Sequence, residues 1–326
     1  MLTGNALISA TRKYAKEDRN RSWLLLLGTI SLWLVALVGA CYNFNLVLQL
    51  FCGVVAGLVT VRLFIIYHDY MHKSILQGSW LAELIFTVFG WYILAPKSIW
   101  RRSHDYHHAH NAKLYTSSIG SFPIVTKEEF LNAPKSERRV YLFIRHPFTI
   151  ALGYIFAFIW GMCIRSFLSK PGVHKDSMIA LVFHALLGAA IYYFCGWPGL
   201  LIGFFMPYLI SLSMGSYLFY AQHNFPGVKF KNKQEWDFVY AALYSSSYMK
   251  MSGLMHWFTG NIGYHHIHHI NAKIPFYNLP KVFTEMKEFQ SPTTTSLNPK
   301  DVFRCLNVKV WDPEKDKMIG IKEVYA

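Results

Sequence analysis

Two apolar runs follow one another early in the chain, Trp23–Ala40 and Leu46–Tyr67, with only Cys41–Asn45 between them. About 20 apolar residues are what a helix needs to cross a bilayer, and lipid accepts only segments that satisfy their own backbone polar groups. This feature constrains the fold most: the chain is expected to be helical and membrane-embedded. Composition agrees. Hydrophobic residues make up 53% of the 326 residues and charged residues 15%, against about 25% charged in soluble domains. The first run leads straight into the second and lacks a small-residue cleavage site, so it reads as a span and not a signal peptide.

Four further apolar runs follow: Trp80–Ala95, Phe148–Ile164, Met178–Cys195 and Leu200–Tyr220. Trp80–Ala95 is short and contains Glu83, which suits a half-buried helix. If Phe148–Ile164 crossed, the basic loop with Arg165, Lys170 and Lys175 would lie outside, against the rule that Lys and Arg stay on the cytoplasmic face. The expected fold is therefore an all-α integral membrane protein. Four spans (23–40, 46–67, 178–195, 200–220) form two hairpins, beside two embedded half-helices and a helical cytoplasmic cap. The external loops are Cys41–Asn45 and Cys195–Gly199, both without charge, with Pro198-Gly199 as the turn signal. Arg62, near the end of the second span, is expected to snorkel. Both termini lie on the cytoplasmic side. The net charge of +14 fits a cap facing anionic lipid and is not read as nucleic-acid binding.

No internal repeat or second domain is evident; residues 1–326 read as one domain with a core at 20–285 and a polar extension at 286–326. The five cysteines form no CxxC pair, which argues against a zinc ribbon or disulfide framework. Cys41 and Cys195 both fall at the external end of a span, where two thiols could meet.

The chemistry is carried by histidine. Eight of the 15 histidines fall in three clusters: His68 and His72 in HxxxH spacing, then His104, His107 and His108, and His265, His268 and His269, each in HxxHH spacing. On a helix, positions three and four apart project from one side, so each cluster presents convergent imidazoles. Neutral imidazole is a good ligand for iron, zinc or copper. Eight ligands exceed what one ion takes, so two metals are expected, with His223 as a ninth ligand. Asp69 and Asp105 follow the first histidine of their clusters and could orient imidazoles through the second ring N–H. His110, Gln222 and Asn261 are further outer-shell candidates. His266 points off the ligand face, His184 reads as a buried hydrogen-bonded residue within a span, and His146, His174 and His256 as structural. HExxH, with its glutamate base, is absent: the first cluster reads HDYMH.

These three boxes resemble those of the integral-membrane fatty acid desaturases. Trp257-Phe258-Thr259-Gly260-Asn261-Ile262-Gly263 before the third box, Ile274-Pro275-Phe276-Tyr277-Asn278-Leu279 after it and Trp100-Arg101-Arg102 before the second are similar to the DesA-like bacterial and cyanobacterial acyl-lipid group. The resemblance covers roughly residues 20–285. It implies two non-haem iron ions held by histidine, O2 as co-substrate, and a cis double bond introduced into a membrane-lipid acyl chain. Lacking a fused haem domain or an iron–sulfur cysteine cluster, the chain is expected to take electrons from a separate donor, a ferredoxin ahead of a cytochrome b5-type protein. The bacterial inner membrane is the implied location. A hydroxylase or ketolase acting on an alkane, fatty acyl or carotenoid substrate is the alternative on the same scaffold. A histidine-rich metal transporter is disfavoured, because the spans carry only Arg62 and His184 as ionisable groups.

Overall fold

The computed structural model describes residues 2–42, 45–116 and 119–326. Most of them are helical. Three helical stretches are long and apolar enough to cross a membrane: Arg19–Cys41, Leu46–Met71 and Lys175–Ala221. Residues 43 and 44 of the expected first external loop lie outside the described residues.

Asp18 caps the first helix by accepting from the Arg21 N–H, and Asn45 caps the second by accepting from the Leu48 N–H at 3.0 Å. Side-chain caps of this kind satisfy donors that a helix start leaves open. The two helices are tied by Gln49, whose Nε2 donates to the Ala40 carbonyl at 3.0 Å. The third stretch doubles back. Gly196 has φ +65° and ψ −164°, a conformation that side chains resist. On either side of it the chain runs antiparallel: the His184 ring lies 4.7 Å from Phe204 and 4.6 Å from Tyr208. The reversal thus sits at Gly196 and not at Pro198-Gly199. Pro198 merely opens the returning coil, where its missing N–H costs nothing.

The returning limb packs tightly on the second long helix. A Cβ on Gly53 would stand 2.8 Å from the Ile202 carbonyl, and one on Gly57 2.8 Å from Cβ of Ile210. Two shorter apolar helical segments flank this bundle: Trp80–Tyr92, 13 residues long, and the π-helical Tyr154–Arg165. At about 1.5 Å per residue, neither spans the roughly 30 Å hydrocarbon core.

Two expectations need correction. The fold is not purely helical: Tyr248–Lys250 pairs in parallel with Thr294–Ser296, and Val310–Asp312 pairs antiparallel with Lys317–Ile319. Both pairs lie in polar stretches, where backbone groups left over by loops find each other. Arg62 does not snorkel. It is buried, its Nε donates to Thr29 Oγ1 at 3.2 Å and its Nη1 to the Trp257 carbonyl at 2.5 Å, and its guanidinium lies 4.3 Å from the Trp257 ring. The loop before the third box thus supplies the acceptors that water would otherwise provide. Cys41 and Cys195 do meet, as expected: they are hydrogen-bond neighbours, and both are free thiols.

Candidate metal centre

The first box sits at the C-terminal end of the long helix Leu46–Met71, the second on the helix Lys97–His110, the third on the short helix His265–Ile270, and His223 follows the returning limb after Ala221. These four segments meet at one level. Nine imidazoles converge there, in two groups whose ligand atoms lie within 4.8 Å of one another. His68, His72, His104, His108 and His268 form one group; His107, His223, His265 and His269 form the other.

Each HxxHH box divides its members between the groups. His104 and His108 stay together while His107 leaves; His265 and His269 stay together while His268 leaves. The expectation of three imidazoles converging on one point needs this correction. At about 100° per residue, positions i and i+4 differ by about 40°, whereas i+3 and i+4 diverge by about 100°. The two boxes therefore exchange one histidine each.

The spacing within the groups fits metal ions. In the four-membered group Nε2 of His223 lies 3.0 Å from Nε2 of His107 and 2.8 Å from that of His265, which is 3.1 Å from that of His269. In the five-membered group Nε2 of His108 lies 3.2 Å from that of His104 and 3.1 Å from that of His268. Ligands held about 2.0–2.1 Å from one ion stand roughly 2.9–3.3 Å apart. Nε2 of His72 is buried with no hydrogen-bond partner, as an unfilled ligand atom would be. Burial, reinforced by neighbouring imidazoles, holds His104, His107, His108, His265, His268 and His269 well below the ordinary histidine pKa. Burial pushes His223 down to about 4. At neutral pH these rings are uncharged, the form that binds metal.

Outer contacts fix several rings. Asp69, 1% exposed, faces His68 Nδ1 at 3.2 Å and accepts the Phe276 N–H at 2.6 Å. That contact leaves His68 Nε2 for its group. His107 Nδ1 lies 3.1 Å from Ser121 Oγ, and His223 Nδ1 donates to the Ser245 carbonyl at 3.1 Å. Trp100 stacks on His104 with ring centroids 4.8 Å apart. Ser121, Ser245 and Trp100 carry no ligand-like spacing, which is why sequence reasoning did not assign them here.

The other outer-shell candidates do not touch an imidazole of either group. Asp105 is exposed, on the outward side of its helix. His110 turns away, its Nδ1 3.0 Å from the Tyr106 carbonyl and its ring stacked on Tyr106. Gln222 donates to the Ile262 carbonyl at 2.8 Å, and Asn261 to the Phe276 carbonyl at 3.1 Å. Both brace the loops around the third box. His266 faces outward to the Phe289 carbonyl at 3.1 Å, as expected. A small cavity of about 60 Å³ reaches His107 and His223 from the side of Tyr115 and Lys113.

The fold and site define a helical membrane protein with two all-histidine groups able to hold metal ions. Comparison with known proteins gives the family: the fatty acid desaturase profile matches residues 44–299, and the chain belongs to that family. It is 30% identical to a "Fatty acid desaturase" of Bacillus subtilis over 320 residues, 95% of this chain and 89% of the relative. It is 28% identical to the "sn-1 acyl-lipid omega-3 desaturase (ferredoxin)" of Nostoc sp., covering 71% of this chain and 65% of that one. Identity to the "sn-1 oleoyl-lipid 12-desaturase" of Synechocystis sp. is 24%, covering 85% and 79%. Membership makes the chain an oxidoreductase acting on fatty acyl groups.

Proposed function

We propose that this protein is an O2-dependent acyl-lipid desaturase that introduces a cis double bond through two iron ions held by the nine histidines. The observation that carries this reading is the donor set: five and four imidazoles, with no carboxylate or thiolate in either group. A hydrolytic metal site wants a base beside its water, and the nearby carboxylate of Asp69 is already engaged by His68 and the Phe276 N–H.

An unactivated methylene offers no acidic proton, so side-chain acid–base chemistry cannot attack it. When bound, iron would supply the oxidising power drawn from O2. Two adjacent methylenes lose one hydrogen each; O2, with two electrons and two protons from the donor system, ends as two waters. The residues here hold and orient: Asp69 fixes the His68 ring, Ser121 that of His107 and the Ser245 carbonyl that of His223. Burial excludes water from the site.

The reading includes four crossings in two hairpins, with both termini and the histidines on the cytoplasmic face of a bacterial inner membrane. Its support is the reversal at Gly196 and the meeting of His68, in the last turn of one long helix, with His223, just past the end of another. The core at 20–285 and the extension at 286–326 form one domain. A separate ferredoxin supplies electrons, in line with the name of the Nostoc relative.

The test is the lipid fatty-acid profile of a host expressing the chain with a ferredoxin system, beside His268→Ala. A new unsaturated chain that disappears in the variant supports desaturation, and derivatisation with mass spectrometry places the bond. An oxygenated chain instead points to a hydroxylase or ketolase, and an unchanged profile from a metal-loaded protein overturns the fatty-acyl reading.

A further inference from the structure

The C-terminal stretch beyond residue 299 lies outside the family match, yet it is tied to the segments around the site, most directly at Arg145. Arg145 is a completely buried cation. Its Nη1 donates to the Pro123 carbonyl at 2.9 Å. Its Nη2 reaches Asn224 Oδ1 at 2.7 Å, Tyr220 Oη at 3.2 Å and the Val308 carbonyl at 3.3 Å. Among the described residues no carboxylate meets it, and the ring of Tyr220 lies 5.1 Å from the guanidinium. The tail returns the contact: Lys309 Nζ donates to the Arg145 carbonyl, Tyr141 Oη donates to the Lys309 carbonyl at 2.5 Å, and the Trp311 N–H donates to the Val125 carbonyl at 3.0 Å. Its Nε is buried without a partner, so the cost of burying this cation is offset only by the contacts of its two terminal nitrogens. Three other chain segments therefore stay in register with Arg145 or leave it stranded.

Besides the tail, the two segments so gripped lead to the same histidine group. Asn224 directly follows His223. Pro123 and Val125 belong to the strand of chain that carries Ser121, whose hydroxyl faces His107. The five-membered group is braced elsewhere, by Asp69 and the Phe276 N–H that holds it, and among the described residues neither is hydrogen-bonded to Arg145 or the tail.

We infer that Arg145, with the C-terminal segment it locks in place, is a positioning device for the four-histidine group alone. Each ion then has its own scaffold, and the tail serves one of them. This rests on the dimetal reading above.

The test is cobalt(II) titration of the full-length, metal-free protein in detergent. Visible absorption and elemental analysis count the sites, while His265→Ala and His268→Ala assign the two spectra. Wild type takes up two ions per chain. Arg145→Met keeps the His268-type site and weakens the His265-type site about 10–100-fold, the range for loss of outer-shell support. Arg145→Lys keeps the charge but not the fork, and falls between. Asp69→Asn gives the mirror image. If Arg145→Met does not fold, Asn224→Leu, which removes only the link beside His223, decides by the same criterion. Equal weakening of both sites, or two unaltered sites, in a variant with an unchanged unfolding midpoint overturns the inference. Fewer than two ions in wild type overturns the dimetal reading first, before any variant is compared.

Discussion

The two histidine groups differ in number and in backing. The five-membered group lies against an anion, since Asp69 holds His68 and is itself held by the Phe276 N–H. The four-membered group has neutral backing, from the Ser121 hydroxyl and the Ser245 carbonyl, and a cavity opens onto two of its rings. A carboxylate behind an imidazole raises its basicity and strengthens its metal bond. The difference teaches that a symmetric sequence pattern has been built into an asymmetric centre. One ion would have five ligands, and the other has one ligand fewer and a small cavity beside it.

The largest expected effect comes from deleting ligands. His265→Ala and His268→Ala should each lower metal affinity at their own group by more than about 100-fold, since outer partners alone are worth about 10–100-fold. Elemental analysis should find one ion lost in each case, and desaturation should cease in both. Loss of both ions from either variant would show that the groups are not independent.

Asp69→Asn comes next. The amide keeps the size but not the charge, and the five-membered group should lose about 10–100-fold in affinity while the other is unchanged. Metal competition with a chelator would measure this, and equal losses at the two groups would break the comparison.

Arg62→Met probes the same side from below. It removes charge-assisted bonds to Thr29 and the Trp257 carbonyl, each worth about 1.5–3 kcal/mol. Stability in a denaturant series should fall by about that much, with five-group affinity affected before four-group affinity. An unchanged midpoint would show that the loop before the third box is held by other means.

The smallest effect concerns the tail. Burial, with the neighbouring charge of Arg145, pushes Lys309 down to about 8, against about 10.4 when unfolded. Between those values the unfolded chain binds more protons than the folded one, so this lysine's contribution to stability rises with pH. Below pH 8 its burial cost is fully present. Lys309→Met should therefore be more stable than wild type at pH 7, and the gap should narrow toward pH 10. A gap independent of pH would mean that the ammonium is not the cause.

Membrane embedding was legible because apolar runs and the placement of Lys and Arg act through bulk solvation, which needs no neighbours. Reading the turn at Pro198-Gly199 missed by two residues, since local turn chemistry does not say which glycine takes the positive φ. Asp105 shows another limit. It occupies the same place in its box as Asp69 does in the first, yet one carboxylate is buried against an imidazole and the other faces outward.

The sequence by itself determined that the chain enters a membrane and which nine histidines gather, because ring spacing along a helix is a local property. Only the tertiary structure decided how those rings divide into five and four, which aspartate backs them, and that Arg145 binds the C-terminal segment to one group. Those outcomes depend on which helix faces meet and on which buried polar groups find partners across 75 or more residues of chain. No local pattern encodes such pairings.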